Sequence, residues 1–181
     1  MLGNSNLIHQ YPVAYIEYLA EFYGSRDYFE CHEIMEEYWK EHSDSPLTSC
    51  WLVLIRISVA QYHARRGNRA GALKLMGKAT TEVDIPLFDQ LGVDGAELKR
   101  RLTSTYEYWH ANERFEYKDF ELPINNEQIL DAARQLSDEK GYHWMINGQE
   151  VDEQIIHRHL TRDRSEVVEA RELAVKLKSG E

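Results

Sequence analysis

The chain has 181 residues, 43% of them hydrophobic and 29% charged, and its formal net charge is −10. This length and composition suit one folded unit with a hydrophobic core, and they exclude a chain that is disordered by composition. The negative charge argues against a dedicated nucleic-acid binder, which usually presents a basic surface. The sequence has no apolar run of about 18 residues and no basic segment leading into an apolar one, so we predict neither a membrane span nor a secretory signal.

The cysteines and the charge pattern give two further expectations. Cys31 and Cys50 do not form a C-x-x-C pair, and a reduced cytoplasmic location suits them. Acidic residues dominate residues 17–44, whereas basic residues dominate residues 56–101. We expect these two segments to attract each other inside one fold.

Helical periodicity dominates the first third of the chain. Asp27 and Glu30 have the spacing of an N-capping pair, and Gly24 is a natural stop for the helix before them. The third helix is apolar on nearly every side, which is typical of a central, buried helix. The three helices predicted here span residues 12–23, 27–42 and 46–66, and Asp27 is the cap of the second.

The remaining chain is also mostly helical. Gly67 is expected to end the third helix in the left-handed conformation, and short connections predict antiparallel neighbours. Residues 114–124, "RFEYKDFELPI", alternate between polar and apolar side chains and look extended as far as Pro123. Residues 142–163 show no clear period. The further predicted helices are residues 68–83, 94–112, 126–140 and 165–178, and the first three of them are expected to be capped by Asn68, Asp94 and Asn126.

These elements predict an all-α protein, a small multihelical bundle of antiparallel helix hairpins. We assign residues 1–115 to a helical core domain. Residues 116–181 form a mostly helical C-terminal extension, an extended segment followed by helices, which we expect to pack on the core.

Two sequence blocks resemble a known family. The blocks "YFECHEIMEEYW" and "AQYHARRGNRAGALKLM" are similar to those of the bacterial and archaeal family called domain of unknown function 309. The resemblance covers roughly residues 12–110, and it implies a small multihelical fold and no particular activity. The matching residues are His32, Glu33, Glu36, Trp39, His63, Arg66, Gly67, Asn68, Gly71 and Ala72.

The first block also differs from a zinc protease motif in one position. Its H-E-x-x-E pattern has Glu36 where H-E-x-x-H has a second histidine. On a helical wheel, His32 and Glu36 lie at the margin of the apolar stripe, and Trp39 follows His32 on the same face. Partly buried polar groups need partners, so these side chains form either a structural seam or a site.

The third helix offers Arg56 and His63 as partners for this seam. Counting outward from a turn near Asp44 places Arg56 level with His32 and puts His63 about 10 Å farther along, at about 1.5 Å per residue. We therefore favour a hydrogen-bonded seam of His32, Glu36 and Arg56 with Trp39 beside it, which fixes helix register or lines a small pocket.

A metal-dependent hydrolase-like enzyme is the first alternative. His32 and Glu36, four residues apart on a helix, are able to bind one divalent ion, with His63 or another acidic residue as the third ligand. Glu33 is then the candidate catalytic base, acting through a metal-bound water. A divalent metal is the one cofactor that the sequence suggests, and catalytic activity stays open.

An anion or phosphate-ligand binder is the second alternative. Arg66, Asn68 and Arg69 surround the start of the fourth helix, where free backbone N–H groups attract anions. Near the C terminus, we interpret His157 and His159 as surface residues unless the tail folds back on the core.

The sequence therefore favours a cytoplasmic helical binding or interaction module. Its partner is an unidentified protein or small molecule, with no nucleic acid and no membrane expected. A homo-oligomer is compatible with this interpretation.

Overall fold

The computed structural model describes residues 10–161, and every regular element in this range is helical. The predicted all-α fold is confirmed, and the single β-bridge in the same range joins Val93 to Ile124. The helix predicted over residues 165–178 lies outside the described residues. The helices are α1 (Val13–Ala20), α2 (Tyr28–Glu41), α3 (Thr48–Arg65), α4 (Arg69–Glu82), α5 (Ile85–Gln90), α6 (Gly95–Ala111), α7 (Glu127–Glu139), α8 (Glu153–Ile156) and α9 (Arg158–Thr161).

Four of these helices begin at the caps that the sequence indicates. In each, the side-chain oxygen of the cap accepts a hydrogen bond from the backbone N–H three residues later, which satisfies a donor that the helix leaves unpaired. The pairs are Asp27 with Glu30, Asn68 with Gly71, Asp94 with Glu97 and Asn126 with Ile129.

Two helix boundaries differ from the prediction. After α1 the chain continues as a π-helical turn, Glu21–Ser25, so Gly24 lies inside the turn and does not end it. The turn ends at Arg26, which adopts the left-handed conformation with a φ of 56°. Helix α3 begins at Thr48 and not at Pro46.

Helix α3 is the central element of the bundle. Its residues Trp51, Leu54 and Ile57 are at most 1% exposed. Ring contacts of Phe29 with Tyr62 and of Tyr38 with Trp51 show that α2 and α3 run antiparallel. Although α3 is apolar nearly all round, no helix within residues 10–161 is long and apolar enough to cross a membrane.

Asp119 links the extended segment after α6 to both sides of the fold. Its carboxylate accepts hydrogen bonds from the Tyr28 hydroxyl at 2.8 Å and the Tyr117 hydroxyl at 2.6 Å. The backbone N–H of Gly148 donates to the other carboxylate oxygen at 2.7 Å. Arg26 lies 3.9 Å from the same oxygen. One carboxylate therefore joins α2, the extended segment and the chain after α7.

We predict that Asp119→Ala lowers the free energy of unfolding by about 3 kcal/mol, because it removes the charged acceptor of the Tyr28 and Tyr117 hydroxyls and leaves the buried Gly148 N–H unpaired beside a buried arginine. Urea denaturation measures the change. Asp131→Ala is the matched control, since the Asp131 side chain is 69% exposed and pairs with the exposed Arg134, and we expect a change below about 0.5 kcal/mol. Equal small losses in both variants would contradict the linking role of Asp119.

Candidate functional site

A small pocket lies between α2 and α3 at the C-terminal end of α3. It has a volume of about 240 Å³, and we call it the α2–α3 pocket. Its lining combines aromatic rings, histidines and one guanidinium, the mixture typical of ligand sites, in which apolar walls carry a few polar groups. The lining residues are Tyr28, Phe29, His32, Val59, Tyr62, His63, Arg66 and His159.

Helix geometry explains why α3 presents four of these residues together. Val59, Tyr62, His63 and Arg66 are spaced by three, one and three residues, which places them on one helix face. Tyr62 is 5% exposed, and the Arg66 guanidinium lies 5.2 Å from the centre of its ring. The apolar floor of the pocket and its charge therefore come from the same helical face.

The C-terminal extension supplies the remaining wall. The Tyr62 hydroxyl is hydrogen-bonded to His159 Nδ1, and the backbone N–H of His159 donates to the Tyr62 oxygen at 3.2 Å. Arg66 Nε donates to His157 Nδ1 at 3.0 Å, and Arg158 Nε donates to Asp27 Oδ2 at 2.9 Å. The tail thus folds back on the core, and His157 and His159 are half-buried rather than surface residues.

The proton position on His63 follows from its neighbours. Gly71 N–H donates to Asn68 Oδ1 at 3.1 Å, so the Asn68 amide nitrogen faces His63 Nδ1, also at 3.1 Å. This nitrogen can only donate, so Nδ1 accepts and the ring proton lies on Nε2. Burial, and then the charge of Arg66, lowers the pKa of His63. His63 is therefore neutral near pH 7.

Gly71 allows this arrangement because it brings α4 close to His63. A Cβ at Gly71 would lie 2.9 Å from both His63 Cδ2 and Asn68 Nδ2, closer than van der Waals contact permits. The absence of a side chain at this position is therefore needed for the packing of the His63 ring.

The structure corrects the predicted seam. His32 Nε2 lies 3.0 Å from Glu36 Oε2, as the pattern suggested, but the further partner of Glu36 is Lys40, at 3.2 Å. Arg56 instead pairs with Glu82 of α4, where its NH2 group donates to Oε1 at 3.1 Å.

The tilt of helical side chains explains this outcome. Side chains lean towards the N terminus of their own helix. In an antiparallel pair, His32 on α2 and His63 on α3 therefore lean towards each other, and both line the pocket despite their predicted offset. Arg56 leans the opposite way from His32, towards the start of α3, and meets α4.

Glu33, the candidate base, and Trp39 of the predicted seam lie apart from the pocket. Glu33 and Trp39 are half-buried, and neither lines the α2–α3 pocket. Within the described residues, His32, Glu36 and His63 do not form a group of three side chains placed to hold a metal ion. The catalytic role of Glu33 and the metal role of the other three residues stay predictions.

The residues of the predicted anion site do not converge either. Arg69 is bonded to the C-terminal end of α6, donating to the carbonyls of Trp109 at 3.1 Å and His110 at 2.8 Å. Asn68 caps α4 and contacts His63. Arg66 alone of the three turns towards the α2–α3 pocket, so the structure places its charge in a different site from the one predicted.

Sequence reasoning missed five pocket residues, which are Tyr28, Phe29, Val59, Tyr62 and His159. The spacing of residues 59, 62, 63 and 66 was the available signal on α3, because it marks one helix face. The contribution of His159 had no comparable signal, since it lies 97 residues from its hydrogen-bond partner Tyr62.

We predict that the His63 imidazole titrates below the ordinary histidine value of 6.5 and carries its proton on Nε2. Because the folded protein binds this proton less readily than the unfolded chain does, His63 contributes stability above pH 6.5 that is lost as the pH falls through the lowered pKa. Long-range ¹H–¹⁵N NMR measures both the tautomer and the pKa. Arg66→Gln is expected to raise this pKa, and titration of wild-type His63 at or above 6.5 would contradict the assignment.

The comparisons with known proteins cover α2 and α3, the two helices that supply most of the pocket. Residues 15–75 match the family model described as Domain of unknown function (DUF309). The chain is similar to a Bacillus subtilis (strain 168) protein named Uncharacterized protein YpuF, with 39% identity over 164 residues that cover 90% of this chain and 93% of the relative. No solved structure matches the chain. With a family match across α2 and α3 and a relative similar over nearly its whole length, the chain belongs to the DUF309 family.

Proposed function

We propose that this protein is a small-molecule-binding module whose ligand occupies the α2–α3 pocket. The observation that carries the proposal is that three distant segments, α2, α3 and α9, converge on one cavity of about 240 Å³. Concave sites with apolar walls and a few directed polar groups are the usual form of small-ligand sites.

The polar groups of the pocket support binding more directly than hydrolysis. They are the histidines and the Arg66 guanidinium, whose nitrogens are suited to hydrogen bonds with a ligand. Glu33, the base that the hydrolase hypothesis requires, does not line the cavity.

The organisation of the chain fits the same proposal. We propose that the boundary near residue 115 separates the helical core from an extension that completes the pocket. His159, which belongs to the extension, lines the cavity beside Tyr62. A cytoplasmic location remains our expectation.

We predict that Val59→Trp abolishes ligand binding, because Val59 lines the cavity and a larger side chain there fills it. The measurement is protein-observed NMR with a library of small anionic, cationic and neutral fragments. In the wild type, fragments should shift the resonances of Tyr62 and His63, and in Val59→Trp these shifts should disappear.

Leu52→Trp is the matched control, because Leu52 is half-buried on the same face of α3 two turns earlier and does not line the pocket. This variant should bind fragments as the wild type does. The proposal fails when no fragment perturbs the pocket of the wild type, or when Val59→Trp binds as well as Leu52→Trp.

A further inference from the structure

We propose that the ligand of the α2–α3 pocket is a small planar organic anion, of the aromatic carboxylate class, with its charged group on Arg66. This inference rests on the proposed binding function and adds the chemical class of the ligand. It follows from the charge, the hydrogen-bond donors and the size of the cavity.

The charge of the pocket favours an anion. Arg66 is permanently charged, and none of the lining residues in the described part of the chain is a carboxylate. His63 is neutral near pH 7 because burial and Arg66 lower its pKa. The carboxylates of Asp27 and Glu36 on the same side of the fold are paired with Arg158 and with His32 and Lys40. An anion in the cavity therefore meets a guanidinium that pairs with no carboxylate of residues 10–161, whereas a cation meets repulsion.

The donors of the pocket match a carboxylate. Arg66 uses Nε to donate to His157, and within residues 10–161 its two terminal nitrogens make no hydrogen bond. These nitrogens are free to donate to a carboxylate, the partner that suits the planar guanidinium fork. The Nε2–H of His63, left over by the contact of Nδ1 with Asn68, is a further donor on the same helix face.

The walls and the volume of the pocket select a small flat molecule. Phe29, Val59 and Tyr62 give an apolar lining, and the Phe29 and Tyr62 ring centres lie 5.8 Å apart. The cavity of about 240 Å³ corresponds to roughly eight waters at about 30 Å³ each. It is smaller than the pockets of about 300 Å³ or more that hold drug-sized ligands. One ring with one charged group fits this space.

Three isosteric probes isolate the effect of charge: benzoate, benzamide and benzamidinium, which are negative, neutral and positive. Inorganic phosphate is the fourth probe, an anion with no ring. Isothermal titration calorimetry and NMR shifts at Tyr62 give the affinities. We expect benzoate to bind at least about tenfold more tightly than each of the other three probes, because one charge-assisted hydrogen bond accounts for a difference in affinity of about this size.

Substitutions of Arg66 then test where the anion binds. Arg66→Gln should remove the preference for benzoate over benzamide, whereas Arg66→Lys should keep it. The readout is the ranking of the probe affinities within each variant. A general loosening of the extension would weaken all probes alike and would not change this ranking. Arg114→Gln, an exposed position outside the pocket, removes the same charge elsewhere and should leave the order unchanged.

The possible outcomes separate this inference from the binding function. Benzoate bound most tightly, with its preference lost in Arg66→Gln alone, supports the aromatic carboxylate class. If benzamide or benzamidinium binds as tightly as benzoate and Val59→Trp blocks this binding, the inference that the ligand is an anion is wrong, while the binding function stands. If phosphate binds as tightly as benzoate, the inference that the ligand contains a planar ring is wrong. No binding by these probes or by any fragment overturns both.

Discussion

The burial of α3 on nearly every side is the constraint on which the rest of the structure depends. A helix that is apolar nearly all round must be covered by neighbouring elements, and α2, α4 and the extended segment all pack against it. The side chain of Gln61, in the middle of α3, is fully buried, and its carbonyl accepts a hydrogen bond from the backbone of Phe120 at 3.1 Å. The covering segments are thus fixed by polar contacts as well as by apolar area. The C-terminal end of this helix carries the α3 residues that line the pocket.

The antiparallel arrangement of α2 and α3 has a direct chemical consequence. Because each side chain leans towards the start of its own helix, residues from the first half of α2 and the last turns of α3 converge. Residues of α3 that lie closer to the connection between the two helices lean away from the first half of α2. His32 and His63 belong to the first group, and Arg56 belongs to the second. The same alignment of the two helices therefore brings His32 and His63 to one pocket and directs Arg56, the predicted seam partner, away from it.

The elements that depend on neighbouring residues were predictable, and those that depend on distant residues were not. The caps at Asp27 and Asn68 and the central position of α3 follow from local spacing and periodicity. Helix α5 (Ile85–Gln90) was missed because it is too short to establish a helical period. The contact of Asp27 with Arg158 spans 131 residues, and the contact of Arg66 with His157 spans 91. Such pairs depend on the path of the whole chain, which a pattern of adjacent residues does not specify.

The contacts of the extension also link its position to the state of the pocket. Arg66 and Tyr62 each contact the extension with one group and face the cavity with another. A ligand that orders these two side chains favours the docked position of residues 157–159, because it binds more tightly when that wall is present. By the same linkage, a partner that holds the extension on the core raises the affinity of the pocket for its ligand. For the proposed ligand, binding and docking of the extension would therefore be thermodynamically linked through Tyr62 and Arg66, which contact the extension and line the pocket.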